Sequence, residues 1–248
     1  MQTTPSLLFR KLLPEVPRGT PLTTTWLGQR GLSAQQVARL AASGWLRRLG
    51  RGAYLLPGDD LNRDAALAWL VLELPGLHVA GKSALAWRGV RHNLAIKERL
   101  VLWGDRPATL PSWFSAAFPS SYQATHLFDD GMLPTLGLAP LPAGRPDLPV
   151  STPERAMLEL LSDVGKSQSL EEARHLVEGA RSLRLNVLEE LLRHLKRIKV
   201  ARLADALSEE LDLPWKPLAR ASSERLGGGK RWVSATRTGE RLNLKRPQ

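Results

Sequence analysis

Gln35, Gln36 and Arg39 fall on one stretch with helical spacing, and Arg47, Arg48 and Arg51 follow shortly after it. Amides and guanidinium groups in that order suit the reading of DNA. A Gln side chain pairs with adenine and an Arg with guanine or phosphate when both enter the major groove from a helix N-terminus. Arginines on an adjoining hairpin would hold phosphates or enter the minor groove, positioning rather than specifying. Thr24 and Thr25, at the start of a preceding helix, offer hydroxyl and backbone amide donors to a phosphate. Ser33, just ahead of the two glutamines, completes this DNA-facing set.

The elements that must carry these groups are legible in residues 23 to 58. Thr23 to Thr25 cap a short helix bearing Trp26 and Leu27, Gly31 ends it, and Ser33 caps a second helix after a tight turn. Leu32, Val37, Leu40 and Ala41 share one face of that second helix, leaving Gln35, Gln36, Arg39 and Ser43 on the other. Gly44 stops it. Residues 45–49 and 53–56 then read as two strands joined at Gly50-Arg51-Gly52. Together these make a winged helix-turn-helix. A helical hairpin with a solvated basic edge, or a winged domain used only as a protein contact, are the alternatives from the same residues.

A second stretch invites a chemical reading. Gly76-Leu77-His78-Val79-Ala80-Gly81-Lys82-Ser83 matches the phosphate-loop pattern letter for letter. A working loop follows a buried strand and turns its amides to phosphate, but here Pro75 and a helix precede the first Gly, and the interior favours a strand. A nucleotide-binding or nucleic-acid-processing enzyme is therefore kept only as an alternative. His78, His92, His126, His175 and His194 show no ligand spacing, and the chain has no Cys, so neither a metal site, a cofactor nor a catalytic residue is expected.

Charge is unevenly spread. The net charge of +11 arises from eight Lys/Arg against one acid in residues 1–58 and nine against two in residues 215–248, while residues 59–214 carry eighteen against twenty-one. Basic ends around a near-neutral body fit a polyanion-binding module with a second positive patch. The longest apolar run, Ala65 to Leu72, is far short of the ~20 residues of a membrane span. A cytoplasmic protein without membrane contact is expected.

The fold class expected is α+β. An N-terminal winged helix-turn-helix domain (residues 1–74) precedes a mixed α/β domain (75–248). The latter divides into a small mixed sheet (77–150), a helical bundle-like portion (151–213) and a basic C-terminal hairpin (216–246). Strands are expected at 77–79, 99–103, 122–128 and 136–141, with a helix at 83–87. Ser151-Thr152-Pro153-Glu154 has the form of a capping box, and Ser169 with Glu172 and Asn186 with Glu189 repeat it.

In their order, the winged motif, Ser83-Ala84-Leu85-Ala86-Trp87-Arg88-Gly89, Ser151-Thr152-Pro153-Glu154-Arg155-Ala156 and the basic C-terminal hairpin resemble the AbiE-type antitoxins of type IV toxin–antitoxin systems, over nearly the whole chain. The resemblance implies an autoregulatory repressor whose winged domain binds inverted repeats in double-stranded promoter DNA. It also implies an antitoxin domain that counteracts a nucleotidyltransferase-like toxin without a stable complex, and no enzymatic activity. Lys230, Arg231, Arg237 and Arg241 form a basic patch in the portion resembling that antitoxin domain.

Overall fold

The computed structural model describes residues 5–91, 99–227, 232–235 and 241–244. Two compact units emerge: one takes residues up to Glu73 together with Thr109–Pro119, the other Leu74–Ala108 and the chain from Ser120 onward.

The first unit contains α1 (Pro5–Leu12), β1 (Leu22–Thr23), α2 (Thr24–Gln29), α3 (Ala34–Ala42), β2 (Arg47–Gly50), β3 (Ala53–Leu55) and α4 (Arg63–Glu73). The three strands form an antiparallel sheet with β3 in the centre, Leu22 opposite Tyr54 and Arg47 opposite Leu55. Phe9, Leu12, Leu22, Leu27, Val37, Leu40, Leu46 and Leu56 make one apolar cluster beneath the helices and sheet. Each fully buried Leu or Phe contributes about 1.5–3 kcal/mol relative to exposure. Local signals set the helix ends. Asn62 Oδ1 accepts from the Ala65 amide at 2.9 Å and starts α4, and Gly31, with φ +86°, supplies the left-handed step between α2 and α3.

The chain then lays down β4 (His78–Val79), α5 (Gly81–Trp87) and β5 (Leu100–Trp103) in the second unit, and returns to the first for α6 (Ser112–Ala117). It goes back for β6 (Ser120–Gln123), β7 (Leu138–Ala139) and β8 (Val150–Ser151). The helices α7 (Pro153–Asp163), α8 (Leu170–Gly179), α9 (Leu185–Arg193), α10 (Ile198–Glu210) and α11 (Lys216–Leu226) follow, and then the hairpin of β9 (Trp232–Ala235) and β10 (Arg241–Leu244). The five-stranded sheet runs β6-β5-β4-β8-β7 and is mixed. β4 pairs antiparallel with β5 and parallel with β8, while β5 and β6 are parallel. The α+β class expected from the sequence is what the chain adopts. Among the described residues no helix is long and apolar enough to cross a membrane.

Several local expectations are corrected. The stretch 77–150 does not stay in one small sheet: residues 109–119 leave it, because Trp113 packs edge-on against Trp69 of α4 at 5.3 Å and Phe114 is fully buried. The strand expected at 122–128 begins and ends earlier, at Ser120–Gln123, where parallel pairing with β5 fixes it. The basic hairpin expected over 216–246 is shorter at its start, since residues 216–226 form α11 against α9 and α10. That helix buries Ala219, Ser222 and Ser223, small and polar groups that give hydropathy almost no periodicity. Asn186 lies inside α9 and caps nothing; its N-cap is Arg184, without a side-chain bond. Ser169 does cap α8, accepting from the Glu172 amide at 3.1 Å.

Candidate nucleic-acid interface

Helix α3 is held by a full capping box. Ser33 Oγ accepts from the Gln36 amide at 3.3 Å, and Gln36 Oε1 accepts from the Ser33 amide at 2.8 Å. Leu32 and Val37, flanking this box, are both buried in the apolar cluster, so the entry of the helix is stapled as well as capped. Gln35, Ala38, Arg39 and Ala42 form the exposed face. The two alanines were missed in the sequence as part of that face, although their spacing from Gln35 and Arg39 carries the signal. Short side chains there allow close backbone approach to a groove and apolar contact with a thymine methyl.

Gln36 stands apart from Gln35. It is half-buried and its carbonyl oxygen is taken by the box, so only its NH₂ group remains to donate outward. Ser33 is exposed but spends its hydroxyl oxygen on the same box. Ser43 Oγ donates back to the Arg39 carbonyl at 2.9 Å and closes the helix.

The wing is β2, the Gly50–Gly52 turn and β3. Successive strand residues face opposite ways, so Arg47 and Arg48 do not form one clamp. Arg47 turns to the loop after β3, where its guanidinium donates to the Asp59 carbonyl at 3.1 Å; the buried Asp59 carboxylate in turn accepts from the Gly19 amide and pairs with Arg18. Arg48 leans along the turn toward the Gly50 carbonyl at 3.4 Å, and Arg51 is exposed at the tip. The Thr24 amide donates to the Gly52 carbonyl at 3.2 Å, which ties the start of α2 to the wing tip. That amide is therefore spent, and the Trp26 amide is spent on Thr23 Oγ1 at 2.8 Å. Thr25 remains exposed beside them. The arrangement presents a polar edge of Thr25, Arg48 and Arg51 and a helix face of Gln35 and Arg39 from one rigid core.

The phosphate-loop-like stretch is placed differently from a working loop. Its interior is strand β4, and its second Gly opens α5. The Gly81 amide donates to Glu159 Oε2 at 3.0 Å, Ser83 Oγ accepts from the Val101 amide at 2.9 Å, and Lys82 faces Glu172 at 3.5 Å. The anion served by this amide is the protein's own carboxylate. His78 places both ring nitrogens on acceptors, the Gly76 carbonyl at 2.7 Å and Glu159 Oε1 at 3.0 Å. Burial pushes the Glu159 carboxyl up, but His78, Arg155 and the Gly81 amide outweigh it and hold the pKa below the ordinary value.

The Ser151–Ala156 motif belongs to the same buried network and makes no capping box. Thr152 is the N-cap of α7, but its side chain accepts from no amide of the helix. Ser151 Oγ donates to Glu159 at 2.8 Å, Thr152 Oγ1 to Glu154 at 2.7 Å, and Arg155 Nε to Glu159 at 2.9 Å. Burial works against the charge of Glu154, yet the Arg184 guanidinium and the Thr152 hydroxyl keep its pKa lowered to about 2. Arg88, from the Ser83–Gly89 motif, donates to the carbonyls of Ala139, Val150 and Ser151. These motifs fasten β7 and β8 to α5 and α7. Of the C-terminal basic patch, Lys230, Arg231 and Arg237 lie outside the described residues, as does His92, and Arg241 is described only as backbone of β10.

The sequence matches the family model described as "Transcriptional regulator, AbiEi antitoxin, Type IV TA system" over residues 97–244. It matches "Transcriptional regulator, AbiEi antitoxin N-terminal domain" over residues 6–96. The crystal structure of the RV2827C protein from Mycobacterium tuberculosis is similar in fold, with a TM-score of 0.61 at 18% identity, covering 93% of this chain and 84% of that one. No curated protein matches the sequence.

Proposed function

The chain belongs to the AbiEi antitoxins, transcriptional regulators of type IV toxin–antitoxin systems, and from that premise we propose that it represses its own operon by seating the winged unit on inverted repeats in promoter DNA. The observation that carries this reading is the exposed Gln35–Arg39 face of a capped helix beside a wing tip bearing Arg48 and Arg51. Gln35 and Arg39 would read base edges, and Arg48, Arg51 and Thr25 would hold phosphates. Gln36, Ser33 and the Thr24 amide serve chiefly to shape the site; Arg47 braces the wing from its other face. Its work is in the cytoplasm, where promoter DNA lies.

The second unit counteracts a nucleotidyltransferase-like toxin without forming a stable complex with it, and the Lys230, Arg231, Arg237 and Arg241 patch serves that half. The enzyme alternative loses its support because the amide, hydroxyl and lysine of the phosphate-loop-like stretch are already occupied by Glu159, the Val101 amide and Glu172.

The test is fluorescence anisotropy with the chain's own upstream DNA and a scrambled duplex at physiological salt. Specific affinity on the order of 10³-fold or more above the scrambled duplex is expected. Replacing Arg48 and Arg51 together by Ala should lower the log–log salt slope by roughly two units. Equal affinity for both duplexes would refute the repressor half. Co-expression with a nucleotidyltransferase-like toxin encoded beside this chain tests the other half, which fails if no such gene is there or if growth is not restored.

A further inference from the structure

The compact winged unit is completed from outside the N-terminal stretch. The N-terminal family match ends at residue 96, yet α6, at Ser112–Ala117, belongs to this unit and packs against β2 of the wing. Its contact is specific. A Cβ added to Gly50 would sit 2.8 Å from Trp113 Cδ1 and 3.3 Å from Nε1, so the wing backbone rests against the indole edge at a distance only glycine permits. The ring cannot readily yield: Trp69 meets it at 5.3 Å and 72°, and Phe114 at 6.0 Å and 86°. The bulge between Arg48 and Gly50 lies at this contact, and the Gly50 carbonyl accepts from Arg48 Nε. The turn is thus pinned at both ends, at Gly50 by α6 and at Gly52 by the Thr24 amide.

We propose that Trp113 is a positioning residue for DNA recognition: it wedges the base of the wing and so sets where Arg48 and Arg51 meet phosphate. The inference rests on the repressor reading for its functional part. The wedge is also clamped in sequence. The strands on either side of α6 pair in parallel, from Leu100 opposite Ser120 to Trp103 opposite Gln123.

The experiment compares Trp113→Ala, Trp113→Phe, Gly50→Ala and the double variant Gly50→Ala/Trp113→Ala in the full chain. In Trp113→Ala, amide exchange of residues 47–53 should quicken about tenfold or more while α3 amides keep their rates. Affinity for operator DNA should fall about tenfold and the salt slope by roughly one to two units. Trp113→Phe, which keeps an aromatic edge, should restore most of both. Gly50→Ala should weaken binding in the wild-type background and change little once the indole is gone, because the clash is with that ring. Equal quickening across α3 would make Trp113 a core residue only, and simple addition of the Gly50 and Trp113 effects would remove the contact from the explanation; either overturns the proposal. If wild type shows no preference for operator DNA, the repressor reading fails, and the exchange rates and the cycle on exchange still decide whether Trp113 sets the wing.

Discussion

In the winged unit Gln35, Arg39, Arg48 and Arg51 stand exposed over a core of leucines, whereas in the second unit Glu154, Arg155 and Glu159 are among the buried side chains, at 1%, 9% and 0% exposure. Both regions hold residues that read as chemistry in a sequence. In the first, the polar groups leave the core to apolar packing and are available to a ligand. In the second they face one another and the backbone, so that a Gly amide, a Ser hydroxyl, a His and an Arg all converge on one carboxylate. The difference teaches that a motif's composition says what bonds it can make, and only burial says with whom.

The contrast predicts its largest effect at Glu159. Glu159→Ala removes the buried carboxylate that Arg155 Nε, His78, Ser151 and the Gly81 amide share, and should cost about 3–5 kcal/mol of stability in chemical denaturation. A cost below about 1 kcal/mol, the ordinary value of an exposed ion pair, would show that the network is dispensable. A smaller effect is expected where polar groups shape the exposed site. Ser33→Ala removes one half of the capping box and should cost about 1 kcal/mol. Its DNA affinity should fall with the order of α3, which circular dichroism and anisotropy on the same samples can compare.

The smallest effect belongs to an exception within the second unit, a cluster near its surface. His194 Nδ1 donates to Asp129 Oδ1 at 2.8 Å and Nε2 to Glu190 at 3.2 Å. The hydrogen bond to Asp129 raises the His194 pKa, and the same bond lowers that of Asp129. A raised histidine contributes stability that is fully present below its unfolded value of about 6.5 and lost as pH rises through its folded value. The lowered aspartate contributes above its own unfolded value of about 3.9 and loses it as pH falls through the folded one. Their joint contribution is thus greatest between those two values. His194→Gln should flatten the decline of Tm on the alkaline side of pH 6.5; an unchanged profile would mean that the pair is screened to insignificance by solvent.

Much of the winged unit was legible because its signals are local. A cap, a glycine stop and an apolar face lie within one short stretch, and Ser33, Gly31, Val37 and Leu40 do what their types suggest. Gln36 shows the limit. Its type suits both adenine and a capping box, and the box, three residues away, takes the oxygen first. In the second unit β8 is two residues long and exists because Val150 pairs with Val79, far off in the chain. No local pattern announces such a strand. The Ser151-Thr152-Pro153-Glu154 run looked like a capping box and became part of a buried network for a similar reason: Arg184, from a distant loop, competes for the Glu154 carboxylate.

By itself the sequence determined the α+β class, the helix-turn-helix with its exposed Gln35 and Arg39, the basic ends and the family, because periodicity, capping and charge act over a few residues at a time. The tertiary structure alone decided that the Arg47 guanidinium is taken by the Asp59 carbonyl, that Glu159 occupies the amide of the phosphate-loop-like stretch, and that Trp113 returns to brace Gly50. Those outcomes depend on which residues distant in the chain exclude water together, and that is fixed only when the core closes.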